Sequence, residues 1–461
     1  MTETLLPAPK RRPRPYRAPS RVGKEFLIRT FGCQMNEHDS ERIAGLFESD
    51  GMTMTTDLGR ADVVYINTCT IRENADNRLY GTLGQLKAIK DVNPEMTLMV
   101  GGCAAQKDRD YVRERAPWVD VVMGTHNLDR VLDLLDHAEH WGPITEVVDE
   151  LQAMPSSLPV KRELPHSAWI TIQVGCNNTC TFCIVPSVRG PEISRRPGDI
   201  LDEVRRLVDD GVVEFTLLGQ NVDTYGRDLA LDGKRRPIFA DLLRQVGAID
   251  GVERIRFTSP HPNDFREDVA LAMAETEAVC PQLHFPLQSG SDRVLRRMHR
   301  GYTASKYRDR LAMAREIIPD LAVSTDIIVG FPGETDDDFD ETLQLVSEAQ
   351  FDSAFMFIFS PRPGTAAAEY ADEFVDDAVI KERFGRLQQI QDEASLARNQ
   401  ALIGSVQEVI SEGQSKKNYS IATTRARNGK LVHIPGHHPA GEKSTVRIEF
   451  AGHHHLGGVL I

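Results

Sequence analysis

The sequence predicts an α/β protein made of an N-terminal parallel α/β domain, an open barrel of six β/α units and a small C-terminal β-barrel. Three observations predict this fold: early apolar runs that end in cysteine, six later strand and helix alternations, and short alternating runs near the C-terminus. The predicted boundaries are residues 1–23 for a disordered basic tail, 24–141 for the first domain, 142–164 for a linker, 165–395 for the barrel and 396–461 for the last module.

Composition narrows the class of protein. The 461 residues are 41% hydrophobic and 26% charged, and no apolar run approaches the roughly 18 residues that span a bilayer. The seven cysteines are an odd number, and the N-terminus lacks the apolar segment of a signal peptide. Both features favour metal or redox chemistry in the cytoplasm over a disulfide framework.

The charge is uneven. A net charge of −14 argues against a uniformly basic nucleic-acid binder. The segment from Lys10 to Arg29, however, contains eight basic residues and a single acidic residue, Glu25. This segment fits either phosphate contacts or a solubilising tail.

In the first domain, three predicted strands each lead to a thiol. Residues 25–31 precede Cys33, residues 61–67 precede Cys69 and residues 97–100 precede Cys103. Parallel strands present their carboxyl ends on one edge of a sheet, where ligands bind. The three cysteines are therefore expected to converge as a metallocluster site with three protein ligands, and His38 or His126 as a fourth ligand remains an alternative.

The barrel follows the proline-rich linker. Its strand candidates are separated by helical patterns and number six, which is fewer than the eight of a full barrel, so an open barrel is predicted. The candidates are residues 169–174, 214–218, 254–258, 282–287, 323–329 and 353–359.

The first barrel strand leads into Cys176, Cys180 and Cys183, at offsets of four and three. An iron–sulfur cube needs four ligands, so three cysteines leave one iron open to a ligand or call for a remote fourth residue. A structural zinc site is the alternative, although zinc prefers four closed ligands in paired CxxC knuckles.

The loops after the other barrel strands carry amide, hydroxyl and glycine residues. Such loops can hold a ribose or an amino-acid head group, whereas turn chemistry alone would also explain them. The residues predicted to bind a cofactor are Gln220, Ser259, Gln288, Ser289 and Gly330. Cys280 precedes the fourth strand, at the opposite rim, and is predicted to be structural.

After residue 395 the pattern changes to short alternating runs at 405–410, 420–424, 431–434 and 444–450, which indicate a small β-barrel. Its basic residues and one tyrosine suit either a single-stranded RNA surface or a solvated face. They are Lys416, Lys417, Tyr419, Arg425, Arg427, Lys430, Lys443 and Arg447. The run His453-His454-His455 is interpreted as an incidental continuation of the last strand.

Several motifs resemble those of the radical S-adenosylmethionine methylthiotransferase family, over nearly the whole chain. They are TFGCQMNEHDS (30–40), NTCTIRENA (67–75), GGCAAQ (101–106), GCNNTCTFCIVPSVRG (175–190), LLGQNVDTYG (217–226), LQSGSDRVLRRM (287–298) and DIIVGFPGET (326–335). The resemblance implies a flavodoxin-like first domain, a partial-TIM (β/α)6 radical S-adenosylmethionine barrel and a C-terminal TRAM module that binds RNA. The wording CQMN at 33–36 resembles the branch that acts on tRNA rather than the branch that modifies a ribosomal-protein aspartate.

The resemblance also implies the chemistry. One 4Fe-4S cluster on Cys176, Cys180 and Cys183 would bind and cleave S-adenosylmethionine, and a second 4Fe-4S cluster on Cys33, Cys69 and Cys103 would donate sulfur to carbon 2 of N6-isopentenyladenosine at tRNA position 37. It further implies a flavodoxin or ferredoxin as electron donor, iron–sulfur assembly proteins as partners, and a cytoplasmic monomer. Another tRNA adenosine, a ribosomal protein, or a non-catalytic iron–sulfur RNA-binding role are the alternatives.

Overall fold

The computed structural model describes residues 20–70, 73–149, 158–230 and 235–461. Residues 1–19 of the predicted tail, residues 71–72 of the second motif and residues 150–157 of the predicted linker therefore lie outside the described residues. In the part of the chain that is described, no helix is long and apolar enough to cross a membrane.

The first domain is a six-stranded parallel sheet in the order β2-β1-β3-β4-β5-β6, with hydrophobic cores on both faces. The order 2-1-3-4-5 confirms the flavodoxin-like prediction. The strands are β1 (Glu25–Phe31), β2 (Thr53–Met54), β3 (Val63–Thr68), β4 (Thr97–Gly102), β5 (Val121–Met123) and β6 (Ile144–Glu146). The helices are α1 (Gln34–Ser49), α2 (Glu73–Val92), α3 (Cys103–Asp108), α4 (Tyr111–Arg115) and α5 (Val131–Trp141).

Two edges of this domain differ from the sequence-based boundaries. Strand β6 pairs with β5, whereas the sequence places its residues in the linker. A strand of three residues is too short to give a recognisable apolar pattern. Arg21 was grouped with the basic tail, yet its guanidinium is buried and pairs with Asp50 at 2.5 Å and with Asp136 at 2.7 Å. Ser20 and Arg21 therefore contact the domain, whereas Val22 is exposed.

The second domain contains six parallel strands in two three-stranded halves, β7-β10-β11 and β12-β13-β14, linked by a bridge between Ile255 and Val279. No pairing joins β7 to β14 in the described residues, so the barrel is open, as predicted. The strands, including the short antiparallel pair β8-β9, are β7 (Ser167–Thr171), β8 (Gln173–Val174), β9 (Ile193–Ser194), β10 (Glu214–Leu218), β11 (Arg254–Phe257), β12 (Gln282–His284), β13 (Ala322–Val329) and β14 (Ser353–Ile358).

Helices α7 to α12 on the outside of the barrel contribute apolar residues to a single large core, whereas Val188 of α6 packs in a separate cluster with Cys103 and Ile184. Helix α12 begins with a capping box in which Thr335 and Asp338 satisfy each other's backbone N–H groups. The helices are α6 (Val185–Arg189), α7 (Pro197–Asp209), α8 (Phe239–Gly247), α9 (Glu267–Glu275), α10 (Asp292–Arg297), α11 (Ala304–Ile317) and α12 (Asp336–Ala349). Short 3-10 helices span Leu128–Arg130, Val222–Thr224, Ala366–Glu369 and Ala371–Glu373.

The C-terminal module is a closed five-stranded barrel in the order β15-β16-β17-β19-β18. It follows helix α13, which ends at Gln400 and so extends past the predicted boundary at residue 395. The elements are α13 (Asp377–Gln400), β15 (Val406–Gln414), β16 (Ile421–Ala426), β17 (Leu431–Pro435), β18 (Lys443–Ala451) and β19 (Leu456–Leu460). The sequence does not predict the fifth strand, β19, because two of its five residues are glycines. The histidine run forms the turn before β19 rather than an extension of β18.

This small barrel docks at the amino ends of the strands of the second domain. The Arg254 guanidinium at the start of β11 donates to the Arg425 carbonyl at 2.8 Å, and Arg256 donates to the Ala426 carbonyl at 2.9 Å. In return, Arg427 donates to the Glu253 carbonyl at 3.2 Å. The carboxyl ends of the same strands are thereby left free for a ligand site.

Candidate active site

A cavity of ≈ 950 Å³, open to solvent, lies between the first domain and the carboxyl ends of the barrel strands. Cysteines of both predicted sets line it, whereas Cys69 lies buried behind the lining and hydrogen-bonds to Cys33. Its lining includes Cys33 and Cys103 from the first domain and Cys176, Cys180 and Cys183 from the barrel. The domain interface is therefore the place where the two sets of thiols meet.

The N-terminal thiols follow three neighbouring strands, as predicted. Cys33 links β1 to α1, Cys69 directly follows β3 and Cys103 is the first residue of α3. The Cys69 backbone N–H donates to the Phe31 carbonyl at 2.7 Å, which continues the β1–β3 pairing up to the thiols. The parallel ladder brings Cys33 and Cys69 side by side, and Cys103 follows on the next strand.

The environment of Cys33 favours a thiolate. Its hydrogen bond with Cys69 lowers the pKa of the Cys33 thiol to about 6 against the opposing effect of burial, with help from the Arg189 charge and from backbone N–H groups at the start of α1. Burial raises the pKa of Cys103, and the positive charge of Arg189 opposes that rise. One cation thus acts on two of the three thiols.

Arg189 is the last residue of α6, the helix that follows the barrel cysteines. Its side chain is 4% exposed and forms an ion pair with Asp39 of α1 at 2.8 Å. Since Arg189 also hydrogen-bonds to Cys103, the second domain contributes a positive charge to the N-terminal set of cysteines.

Glycine is required directly before the barrel cysteines. Gly175 has φ +82, and a Cβ there would lie 2.0 Å from the Pro191 carbonyl oxygen. The close approach lets the Cys176 N–H donate to the Gly190 carbonyl at 3.1 Å. The backbone of this loop is therefore pinned beside β9, with Cys176 at the cavity wall.

The middle of the loop is held by the end of α10. The Thr181 N–H donates to the Met298 carbonyl at 3.1 Å, and the Thr181 hydroxyl donates to the Arg297 carbonyl at 2.9 Å. Just beyond, the buried Arg300 guanidinium donates to the Cys180 sulfur at 3.4 Å. A second buried cation therefore contacts the second set of cysteines.

Burial raises the pKa of Cys176 to about 11 and that of Cys183 to about 12. These thiols are thus protonated at neutral pH, and binding of iron would release their protons. Each set supplies three soft sulfur donors with a neighbouring arginine, which is the donor chemistry that an anionic iron–sulfur cluster requires. The residues present fit two such clusters.

Within the described ranges, no three His, Cys, Asp or Glu side chains converge on the position of a single metal ion. The two histidines considered as a fourth ligand do not line the cysteine cavity. His38 is fully buried in α1, and His126 lines a smaller neighbouring cavity together with Asp39 and Arg189.

Of the five predicted cofactor contacts, Gln220 and Ser259 line the cavity. The other three do not, and turn and packing chemistry explains them. The Gln288 N–H and carbonyl bond the backbone of β13, and the Ser289 hydroxyl lies 3.3 Å from that of Thr342. A Cβ at Gly330 would lie 2.6 Å from Ile380, so this glycine serves the packing of α13.

Sequence reasoning missed three polar residues of the site: Arg189, Arg300 and His261. The two arginines have no spacing signal because each reaches a cysteine from another part of the chain. His261 belongs to a rim loop that was recognised, but only the structure shows its Nε2 atom buried without a partner at the cavity wall.

The predicted RNA surface of the small barrel is divided by the docking. Lys443 and Arg427 contact the backbone or side chain of the Glu253 region, and Lys430 pairs with Asp352 at 2.7 Å. Arg425 and Arg447 pair with glutamates of their own module. Lys416, Lys417 and the 81% exposed Tyr419 remain at the surface.

Comparisons with known proteins define the class first. The family model described as "Radical SAM superfamily" matches residues 170–346, and the one described as "Uncharacterized protein family UPF0004" matches residues 25–124. A radical S-adenosylmethionine methyltransferase, TsrM from Kitasatospora setae, has a similar fold, with a TM-score of 0.54, 12% identity and 75% coverage of each chain. The fold and the cysteine pattern are those of a radical S-adenosylmethionine enzyme.

Curated relatives narrow the family. Proteins named tRNA-2-methylthio-N(6)-dimethylallyladenosine synthase match from Parafrankia sp. at 54% identity, covering 92% of this chain and 86% of theirs. Those from Nocardia farcinica and Mycobacterium bovis match at 53% identity, covering 94% and 95% of this chain and 88% and 87% of theirs. The chain belongs to the tRNA-2-methylthio-N(6)-dimethylallyladenosine synthase family.

Proposed function

We propose that this protein methylthiolates carbon 2 of N6-isopentenyladenosine at tRNA position 37, next to the anticodon, with two S-adenosylmethionine molecules. The observation that carries the proposal is that Cys33 and Cys103 of the first set line one cavity together with all three cysteines of the second set, with Cys69 beside Cys33. Identity of 53–54% to curated synthases over most of the chain supports the same reaction.

Cys176, Cys180 and Cys183 hold one 4Fe-4S cluster, and Cys33, Cys69 and Cys103 hold the other. When bound, the clusters and S-adenosylmethionine supply radical chemistry at an inert C–H bond and the sulfur atom that replaces its hydrogen. Because both sites adjoin one cavity, the base need not leave the enzyme between radical formation at its C–H bond and the addition of sulfur.

The chain's other residues position and shield these groups. Arg300 and Arg189 each contact one set of cysteines and offset the negative charge that the ligands acquire. Met35, Phe182 and Val188 form apolar parts of the cavity wall.

The division of labour follows the predicted domains. The domain at 24–141 carries the sulfur-donating site, the barrel at 165–395 carries the radical-generating site, and the module at 396–461 binds the tRNA. An electron donor such as flavodoxin or ferredoxin and iron–sulfur assembly proteins serve the enzyme, which acts as a monomer in the cytoplasm.

Single cysteine variants test the assignment of the two sets. We expect Cys33→Ala to retain reductive cleavage of S-adenosylmethionine, measured as 5′-deoxyadenosine, but to lose tRNA methylthiolation. Cys176→Ala is expected to lose both. Cys280→Ala is the control, because Cys280 is buried away from the cavity. Equal loss of both activities in the Cys33 and Cys176 variants would contradict separate roles.

Two measurements separate the alternatives. After anaerobic reconstitution, iron and sulfide in near-equal amounts are expected, whereas a zinc protein would be colourless. Nucleoside mass analysis of tRNA from cells that lack the gene is expected to show loss of 2-methylthio-N6-isopentenyladenosine. Undiminished nucleoside would refute the proposed function and leave a ribosomal protein or a non-catalytic role.

A further inference from the structure

Among the residues that the structure describes, two buried polar side-chain atoms of the cavity-lining residues have neither a hydrogen-bond partner nor an ion-pair partner. They are Nε2 of His261 and Oε1 of Gln220. His261 is only 7% exposed. A buried polar group without a hydrogen bond is unfavourable, and at a cavity wall it points to a ligand that completes the bond.

The two residues are held by the barrel backbone. Gln220 and His261 follow β10 and β11, which are paired in parallel. The loops are joined where the Val222 N–H donates to the Ser259 carbonyl at 3.3 Å and the His261 N–H donates to Asp223 at 2.7 Å. Ser259 between them has φ +59, a strained conformation for a residue with a side chain. The pair is thus built into the rim rather than carried on a free loop.

The hydrogen bonds that His261 already makes define what it can offer. The Asn263 N–H donates to His261 Nδ1 at 3.2 Å, so the ring proton sits on Nε2. Burial, with the charges of Arg300 and Lys306, lowers the pKa of His261 to about 2, which keeps the ring neutral. The two cavity-lining residues therefore have one free N–H donor, on His261, and one free carbonyl acceptor, on Gln220.

An acceptor and a donor on two neighbouring loops can together meet the edge of an adenine. Adenine carries an exocyclic N–H next to a ring nitrogen that accepts, and an N6-alkylated adenine keeps one such N–H. We propose that Gln220 and His261 bind the edge of an adenine, Gln220 accepting from the exocyclic N–H and His261 donating to the ring nitrogen. The proposal rests on the proposed function, which brings two adenines to this cavity: that of S-adenosylmethionine and that of the tRNA.

Substitutions that remove only the polar atoms test the pair. His261→Phe keeps a ring beside Tyr302, which packs edge-on at a centroid distance of 5.8 Å. Gln220→Met keeps the chain length. Gln288→Met is the matched control, because it makes the same change at a residue that does not line the cavity. Circular dichroism and iron content verify that each variant is folded and loaded.

Binding to the reconstituted enzyme is measured in two arms. One uses S-adenosylhomocysteine and its 1-deaza and 7-deaza analogues, and the other an anticodon stem-loop RNA that carries N6-isopentenyladenosine or its 1-deaza and 7-deaza analogues. In one of the two arms, we expect the wild type to bind one of the two deaza analogues about 10- to 100-fold more weakly than the unmodified ligand of that arm. His261→Phe is expected to bind parent and analogue equally, and Gln288→Met to discriminate as the wild type does.

If His261→Phe loses the discrimination in the first arm, Gln220 and His261 bind the adenine of the cofactor. If it loses the discrimination in the second arm, they bind the tRNA base. Unchanged discrimination by His261→Phe in both arms would overturn the proposal. The proposed function fails separately, if the wild type does not methylthiolate tRNA at all.

Discussion

At the scale of single residues, the same side chain acquires different properties from its surroundings. The pKa of Cys33 falls to about 6 beside Cys69 and Arg189, whereas burial raises that of Cys183 to about 12. Neighbouring charges and hydrogen bonds favour the thiolate, and desolvation opposes it. A cysteine motif therefore identifies a ligand but not its protonation state.

Asp223 provides a residue-scale prediction. This buried carboxyl accepts the His261 N–H at 2.7 Å, and burial raises its pKa to about 8. The unfolded value is about 3.9, so the folded chain binds the extra proton between these values and becomes less stable as pH rises through that window. We expect Asp223→Asn to remove this loss. The Tm of Asp223→Asn minus the Tm of the wild type should therefore be about 2–4 °C or more larger at pH 8 than at pH 5, measured on the metal-free chain.

The control for that measurement is Asp241→Asn, which alters a partly exposed carboxylate of α8 that pairs with Arg236 at 3.1 Å. Parallel curves of Tm against pH for wild type and Asp223→Asn would show that Asp223 does not hold the proton.

At the scale of elements, the five-residue helix α6 joins the two cysteine sets. It begins two residues after Cys183 and ends with Arg189 against Asp39 and Cys103. Val188 and Ile184 of this segment also pack on Cys103. A shift of α6 would therefore move one set of ligands and disturb the other.

Replacement of Arg189 tests this coupling. We expect Arg189→Gln to lower the iron affinity of the N-terminal set about 10- to 100-fold, as is typical when a partner of a metal ligand is lost. Chelator competition should be measured in a chain that carries Cys176→Ala, Cys180→Ala and Cys183→Ala, so that only the N-terminal cluster is counted.

Arg21→Gln is the matched control for Arg189→Gln. Arg21 is an equally buried arginine, 4% exposed, that pairs with Asp50 beyond the far end of α1. The 16 residues of α1 separate that end from Cys33 by roughly 24 Å. Equal iron loss in both variants would mean that general destabilisation, rather than the contact with Cys103, is responsible.

At the scale of the whole molecule, the two ends of the open barrel are covered by two different domains of the chain. The first domain faces the carboxyl ends of its strands, and the small β-barrel closes the amino ends through Arg254 and Arg256. Docking uses basic residues that composition alone would assign to RNA. The surface left for a polyanion on the small barrel is therefore narrower than its charge suggests.

This division predicts which lysines contact tRNA. We expect the double change Lys416→Gln and Lys417→Gln to weaken tRNA binding about 3- to 10-fold and to reduce the slope of log affinity against log salt by about 1–2, because each phosphate contact releases counterions. Filter binding across a salt series measures both quantities.

Arg427→Gln removes one positive charge from the same module but at the docking contact. It should leave the salt slope unchanged and increase hydrogen exchange in β11. A reduced slope in this variant, or none in the lysine variant, would contradict the division of the surface.

Much of this organisation was predictable from the chain. The buried runs that end near Cys33, Cys69 and Cys103 predicted parallel strands with thiols at one edge, because strand direction alone decides which edge they reach. The rim loops were less predictable. Gln288, Ser289 and Gly330 look like Gln220 and Ser259 in sequence, yet they serve backbone pairing and packing.

The sequence by itself determined the three-domain fold class, the two cysteine sets and their positions at strand ends, because periodicity and short spacing are local properties of the chain. Only the tertiary structure decided that cysteines of both sets line one cavity and that Arg189 and Arg300 supply its cations. It also decided that His261 and Gln220 leave polar atoms unpaired there. These features depend on contacts between residues far apart in the chain, whose distances and burial follow from packing and leave no local pattern.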